Sequence, residues 1–121
     1  MRRTVAMAIG GMGALAAACG ACGAAPAVAQ AIDPTFVVVR YHEAARAAEL
    51  CADVKFTRQQ QDKLAVLVGQ ETRHGLPVGE ELIAIRVARS NMEQRISAGG
   101  CKDPLVADAL RFFDSYRDRL R

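Results

Sequence analysis

Residues 33–51, DPTFVVVRYHEAARAAELC, decide the fold because they combine a helix start with a helical apolar stripe. Asp33 can cap the amino end of a helix, and Pro34 suits the first turn, where the missing N–H donor is not needed. Behind this start, apolar side chains recur at alternating spacings of four and three residues: Val37, Tyr41, Ala44, Ala48 and Cys51. This spacing predicts a helix with one apolar face, although residues 37–39 are β-branched.

A second helix is predicted behind a short connection at residues 52–56. Thr57 followed by Gln60 is a capping-box pattern, in which each residue satisfies a backbone donor of the other. Leu64 and Leu67 form the apolar stripe, together with Val68 beside them. The sequence predicts that this helix ends near His74 and that Gly75 serves as its carboxyl-terminal cap.

Two more helices complete the predicted domain. The third helix begins near Val78 and stops at Gly99-Gly100. The stripe along one of its faces is formed by Val78, Leu82, Ile85, Arg89, Met92 and Ile96. Asp103-Pro104 repeats the earlier start signal and opens the fourth helix. Its apolar stripe is formed by Val106, Ala109, Leu110, Phe113 and Leu120, and Tyr116 lies beside this stripe. The sequence therefore predicts an all-α domain, a small four-helix up-down bundle whose core includes Leu82 and Phe113.

The positions of two cysteines agree with this arrangement. Cys51 closes the first helix, and Cys101 lies in the link between the third and fourth helices. In an up-down bundle both positions fall at the same end, so the pair can form a disulfide. The alternative is two free thiols, with Lys102 beside Cys101 able to lower its pKa.

Residues 1–29 predict a signal peptide. Arg2 and Arg3 form a positive start, residues 5–18 are uncharged and mostly apolar, and residues 27–29 are the small-residue pattern Ala-Val-Ala. Cleavage before Gln30 would leave a helical domain of residues 30–121, exported to the periplasm or secreted, without a membrane span. Lipid attachment at Cys19 is the alternative fate of this leader.

The charge balance excludes some partner classes. Loss of Arg2 and Arg3 would lower the basic count from 16 to 14, against 13 acidic side chains. A nearly neutral chain with mixed charges does not favour nucleic acid or an anionic membrane surface.

The predicted domain also lacks a recognisable constellation for catalysis or metal binding. Its two histidines, His42 and His74, stand apart from the paired spacing that metal sites use, and both cysteines are assigned to the disulfide. Asp114 and Asp118 are an i, i+4 pair among arginines, a pattern typical of a solvated, ion-paired helix face. We therefore expect neither an enzyme nor a resident cofactor or metal.

Arg89 is unusual because it interrupts the apolar stripe of the third helix. Either its head group reaches solvent from the edge of the stripe, or it pairs with a carboxylate such as Glu71. A basic ridge of Arg73, Arg86, Arg89 and Arg95 is conceivable, but nearby glutamates neutralise it.

These observations predict a protein-interaction or accessory module whose partner is another envelope or secreted protein. The alternative is a small-ligand-binding helical domain with its pocket between the helices. A pocket lined by Leu64, Leu82 and Phe113 would favour a ligand, whereas a closed core with an exposed apolar strip would favour a protein partner.

Overall fold

A computed structural model describes residues 32–121, and the predicted leader lies outside these residues. The described chain contains four α-helices and a final 3₁₀ turn, with no strand among residues 32–121: α1 (Pro34–Cys51), α2 (Arg58–Glu71), α3 (Val78–Gly99), α4 (Pro104–Tyr116) and the 3₁₀ helix (Arg117–Leu120). The prediction of an all-α domain with four helices is confirmed.

Side-chain caps begin three of the four helices. Asp33 accepts a hydrogen bond of 2.9 Å from the backbone N–H of Thr35, and Asp103 accepts one of 2.9 Å from that of Leu105. At α2 the capping box is complete, because Thr57 accepts from the N–H of Gln60 and the Gln60 side chain accepts from that of Thr57. These bonds satisfy donors that a helix start leaves unpaired, which confirms the sequence prediction at each position.

The end of α2 differs from the prediction. Arg73 and His74 both adopt left-handed backbone, with φ of 52° and 54°, and the N–H of His74 donates to the Gly69 carbonyl at 2.9 Å. The helix α2 therefore ends before Gly75, and Gly75 is not its carboxyl-terminal cap. The His74 ring then lies over Gly69, where an added Cβ would come within 2.9 Å of the ring. This close approach, rather than helix termination, explains a glycine inside the last turns of α2.

The core is built around α1, whose most extensive contacts are with α3 and α4. Tyr116 of α4 is buried and donates its hydroxyl to the Tyr41 carbonyl at 3.0 Å, so its polar end is satisfied. Phe113 packs edge-on against Tyr116 with ring centroids 5.3 Å apart. The predicted apolar faces of α1, α2 and α4 contribute the buried residues of this core: Val37, Tyr41, Ala44, Ala48, Leu64, Leu67, Val68, Val106, Phe113, Tyr116 and Leu120.

The predicted stripe of α3 is wrong at its first two positions. Ala84, Ala88 and Met92 are buried, whereas Leu82 is 55% exposed and Val78 is 73% exposed. The two alanines on the buried face let α1 approach α3 closely. In contrast, α2 contacts α1 and the 3₁₀ helix but does not pack on α3. Without α2 as a neighbour, the side chain of Leu82 has no cover.

The disulfide between Cys51 and Cys101 is confirmed, with Cα atoms 5.7 Å apart. It joins the last residue of α1 to the turn between α3 and α4. Since both sulfur atoms are bonded to each other, the alternative of two free thiols does not hold. Among the described helices, none combines the length and the apolar character required to cross a membrane.

Candidate functional site

The first half of α3 presents four large apolar side chains to solvent, which we call the α3 apolar surface. Val78 and Leu82 are joined by Ile83, 62% exposed, and Val87, 47% exposed. Single exposed apolar residues are ordinary in soluble proteins. Four of them lie within three turns of α3 as two pairs, Val78 with Leu82 and Ile83 with Val87, and Arg86 lies between the pairs. Exposed apolar side chains that cluster in this way are candidates for an interaction site.

Part of this surface continues into a groove between α1 and α3, which we call the α1–α3 groove. Its volume is about 280 Å³, and it is lined by Thr35, Val39, Glu80, Ile83, Ala84 and Val87. Ala84 is buried, whereas Ile83 and Val87 are largely exposed. The small Ala84 side chain leaves the space that larger neighbours border.

One carboxylate, that of Glu80, lines this groove. Arg40 and Arg86 adjoin the lining residues Val39 and Val87 in the sequence. Neither Glu80 nor Arg86 forms an ion pair with a residue of 32–121. The groove is therefore apolar inside, with charges of both signs nearby.

A network of four charged side chains links α1 to α3 near the groove. Arg46 lies 2.5 Å from Glu49 and 2.7 Å from Glu93, and Arg89 lies 3.4 Å from Glu49. Arg89 is 41% exposed at its side chain, so its head group reaches solvent while it pairs with α1. The proposed pairing with Glu71 is wrong, because that carboxylate lies 3.9 Å from Arg119 instead.

His42 lies beside this network on α1. Burial, together with the positive charge of Arg89, lowers its pKa from 6.5 to about 4, and the carboxylate of Glu49 opposes this shift. The imidazole is therefore neutral in the folded protein at neutral pH. This neutral state makes folding sensitive to mild acid.

We expect the free energy of unfolding to fall between pH 6.5 and pH 4. In this range the unfolded histidine binds a proton and the folded one does not, so acid favours the unfolded chain. The full shift corresponds to a loss of about 3 kcal/mol. Urea unfolding at pH 7 and pH 4.5 should show a larger loss in the natural protein than in His42→Gln, by about 2–3 kcal/mol. His74→Gln, a change at an exposed position, is the control. Equal losses of unfolding free energy in the natural protein and in both variants would contradict the low pKa assigned to His42.

The other residues considered as chemical groups are held in structural roles. His74 lies against Gly69, and no group of three potential ligands is found within residues 32–121. Asp114 pairs with Arg117 at 3.2 Å and Asp118 with Arg121 at 3.3 Å, both on exposed side chains. These pairs form the ion-paired face that the spacing predicted.

The pocket that would favour the ligand-binding alternative is not formed by its three residues. Leu64 and Phe113 are buried in the core, whereas Leu82 is exposed on α3, so the three side chains do not line a shared pocket. A separate cleft of about 470 Å³ lies between α2 and the carboxyl-terminal segment, and its lining includes Val66, Lys63 and Arg119. Neither this cleft nor the α1–α3 groove is predicted by the apolar stripes of the sequence.

A signal for the groove was present in the sequence. Ile83 and Val87 are apolar but lie off the predicted stripe of α3, and Val39 lies off the stripe of α1. Apolar residues outside the buried face of an amphipathic helix indicate a second contact surface.

No protein-family model matches the chain, and comparisons with curated proteins and with solved structures give no significant match.

Proposed function

We propose that this chain is an exported protein-interaction module that binds another envelope or secreted protein through the α3 apolar surface. The observation that carries the proposal is the exposure of Leu82, Ile83 and Val87 on a helix whose buried face contains Ala84, Ala88 and Met92. Covering such side chains removes apolar area from water and stabilises a complex by about 25 cal/mol per Å² before the costs of association. A non-enzymatic role is part of this proposal.

The alternative is a small-ligand-binding domain. The cleft beside Val66 has a volume within the usual range of ligand pockets, and Lys63 and Arg119 could orient an anionic group there. We favour the protein partner because Leu82, Ile83 and Val87 are exposed on one helix, whereas a ligand pocket encloses most of a small molecule.

Export remains part of the proposal, with residues 1–29 as signal peptide and residues 30–121 as the mature domain. The Cys51–Cys101 disulfide supports it, since such bonds persist in oxidising compartments such as the periplasm or the extracellular space. Cleavage before Gln30 and lipid attachment at Cys19 would yield different mature masses, which separates the soluble form from the anchored one.

We also propose the up-down arrangement of the four helices. Thr35 and Glu80 line one groove near the starts of α1 and α3, and Cys51 is bonded to Cys101 just after α3. These contacts support a parallel course of α1 and α3. The bond between Tyr116 and Tyr41 fits an antiparallel course of α4.

Site-specific photocrosslinking in the native envelope tests the protein-interaction role. A photoreactive residue at Ile83 is expected to form one predominant adduct with a different protein, because that side chain would lie within the complex. The matched control is Val66, which is similarly exposed at 58% but lies on α2. Equal adducts at both positions, or none at Ile83, would contradict the proposed surface, and a predominant adduct at Val66 would contradict it as well.

A further inference from the structure

We propose that α3 opens reversibly from α1 and that protonation of His42 favours the opened state, so that the α1–α3 interface responds to acid. The opening is a property of the folded chain alone, so it goes beyond the proposed function and requires no partner. Two independent observations support it: α3 supplies a small share of the core, and a half-buried histidine lies on the side of α1 that faces α3.

The main apolar cluster of the core depends little on α3. Only Ala84 among its buried residues comes from α3, whereas the others come from α1, α2, α4 and the 3₁₀ helix. Ile85 packs against this cluster while partly exposed, and the other buried side chains of α3 are Ala88 and Met92. Alanine removes little apolar area from water, so the contact between α1 and α3 is close but gains little from burial. The aromatic core between α1 and α4 can therefore stay closed while α3 moves.

The helix α3 is attached to the rest of the domain at both ends. Residues 72–77 lead into it from α2, and the Cys51–Cys101 disulfide joins the turn after it to α1. Between these attachments α3 packs mainly on α1, contacts α4 only slightly and does not pack on α2. A limited separation of α3 therefore breaks one main interface. Local openings of this kind have lower free energies than global unfolding.

His42 lies on the side of α1 that faces α3. It precedes Arg46 by one turn, and Arg46 pairs with Glu93 of α3 at 2.7 Å. The charged groups that act on the ring are Arg89 of α3 and Glu49 of α1, and within residues 32–121 none on α2 or α4 contributes. A proton on His42 adds a positive charge beside Arg89, where burial already disfavours the charged ring. Opening exposes the ring to water, which stabilises its protonated form.

The two pKa values of His42 set the size of the acid response. The pKa is about 4 in the closed protein and close to 6.5 when the ring is hydrated. Between these values the opened protein binds a proton and the closed protein does not, so a fall in pH favours opening. The equilibrium constant for opening should therefore rise about fiftyfold from pH 7 to pH 4.5.

Hydrogen exchange of the disulfide-bonded protein, followed by mass spectrometry, tests the inference. Each exchange rate is divided by the rate of an unstructured chain at the same pH, which gives a protection factor. A helix separated from its neighbours is marginally stable in water, so its amides exchange when α3 opens. At pH 7 we expect residues 82–92 to be at least about tenfold less protected than residues 106–116 of α4. Protection of residues 82–92 should fall about fiftyfold further at pH 4.5.

Substitutions of His42 test the source of the acid response. In His42→Gln and His42→Leu, which are uncharged at both pH values, protection of residues 82–92 should fall less than about fivefold. His74→Gln, at an exposed position, should respond to acid as the natural protein does. Circular dichroism at pH 7 checks that each variant is folded.

Two results would overturn the inference. Equal protection of α3 and α4 in the natural protein would show that α3 opens only with global unfolding, and this comparison needs no variant. An equal loss of α3 protection at pH 4.5 in the natural protein and in the His42 variants would show that another group binds the proton.

Discussion

Replacing Phe113 with alanine is expected to lower the free energy of unfolding by about 3–5 kcal/mol. Phe113 is 4% exposed and packs edge-on against both Phe56 and Tyr116, at centroid distances of 5.8 Å and 5.3 Å. The substitution removes this buried ring and leaves a cavity that the neighbouring rings fill only partly. Urea unfolding followed by circular dichroism at pH 7 measures the effect.

Leu82→Ala is the matched control for this prediction. The sequence places Leu82 and Phe113 on equivalent apolar stripes, but Leu82 is 55% exposed in the structure. We expect its replacement to change the free energy of unfolding by no more than about 0.5 kcal/mol, as is usual for exposed positions. Similar large losses for both variants would show that α3 is turned toward the core in the way the sequence alone predicted.

Removing the Cys51–Cys101 disulfide is expected to cost about 4 kcal/mol of stability. The two residues are 50 positions apart, so the bond restricts a long loop that contains all of α2 and α3 in the unfolded chain. A domain of this size has a total stability of about 5–10 kcal/mol, so the reduced protein should be close to unfolding at 37 °C. Urea unfolding with and without reductant measures the difference.

Two variants separate the bond from other effects of reduction. Cys51→Ser combined with Cys101→Ser should match the reduced natural protein in stability and should not respond to reductant. If reductant leaves the natural protein unchanged, or destabilises the double variant equally, the disulfide is not the source of the stability.

Much of the fold is predictable because its signals are local. The hydrogen bonds of Asp33, Thr57 and Asp103 join residues two or three positions apart, so a short segment contains all that is needed to recognise them. The end of α2 was predicted less well, although it is also local. Left-handed backbone at Arg73 and His74 is uncommon without glycine, and here it accompanies the close approach of the His74 ring to Gly69.

The candidate site was less predictable than the fold. Exposure of Leu82 and Ile83 depends on which helices are neighbours, and periodicity within α3 contains no information about the distance to α2. The partner of Arg89 was wrong for a related reason, since Glu49 and Glu71 are both carboxylates that the sequence offers equally. His42 acquires its low pKa from burial beside Arg89, a contact between α1 and α3.

The sequence by itself determined the helices, their starts, most of the buried faces and the two cysteines that meet. These features follow from residue spacing and from short-range hydrogen bonding, which act within a few turns of chain. Only the tertiary structure decided that α3 packs on α1 through alanines and that α2 does not pack on α3. Close packing at Ala84 and Ala88 favours this arrangement, and it leaves Leu82, Ile83 and Val87 at the surface as the candidate site.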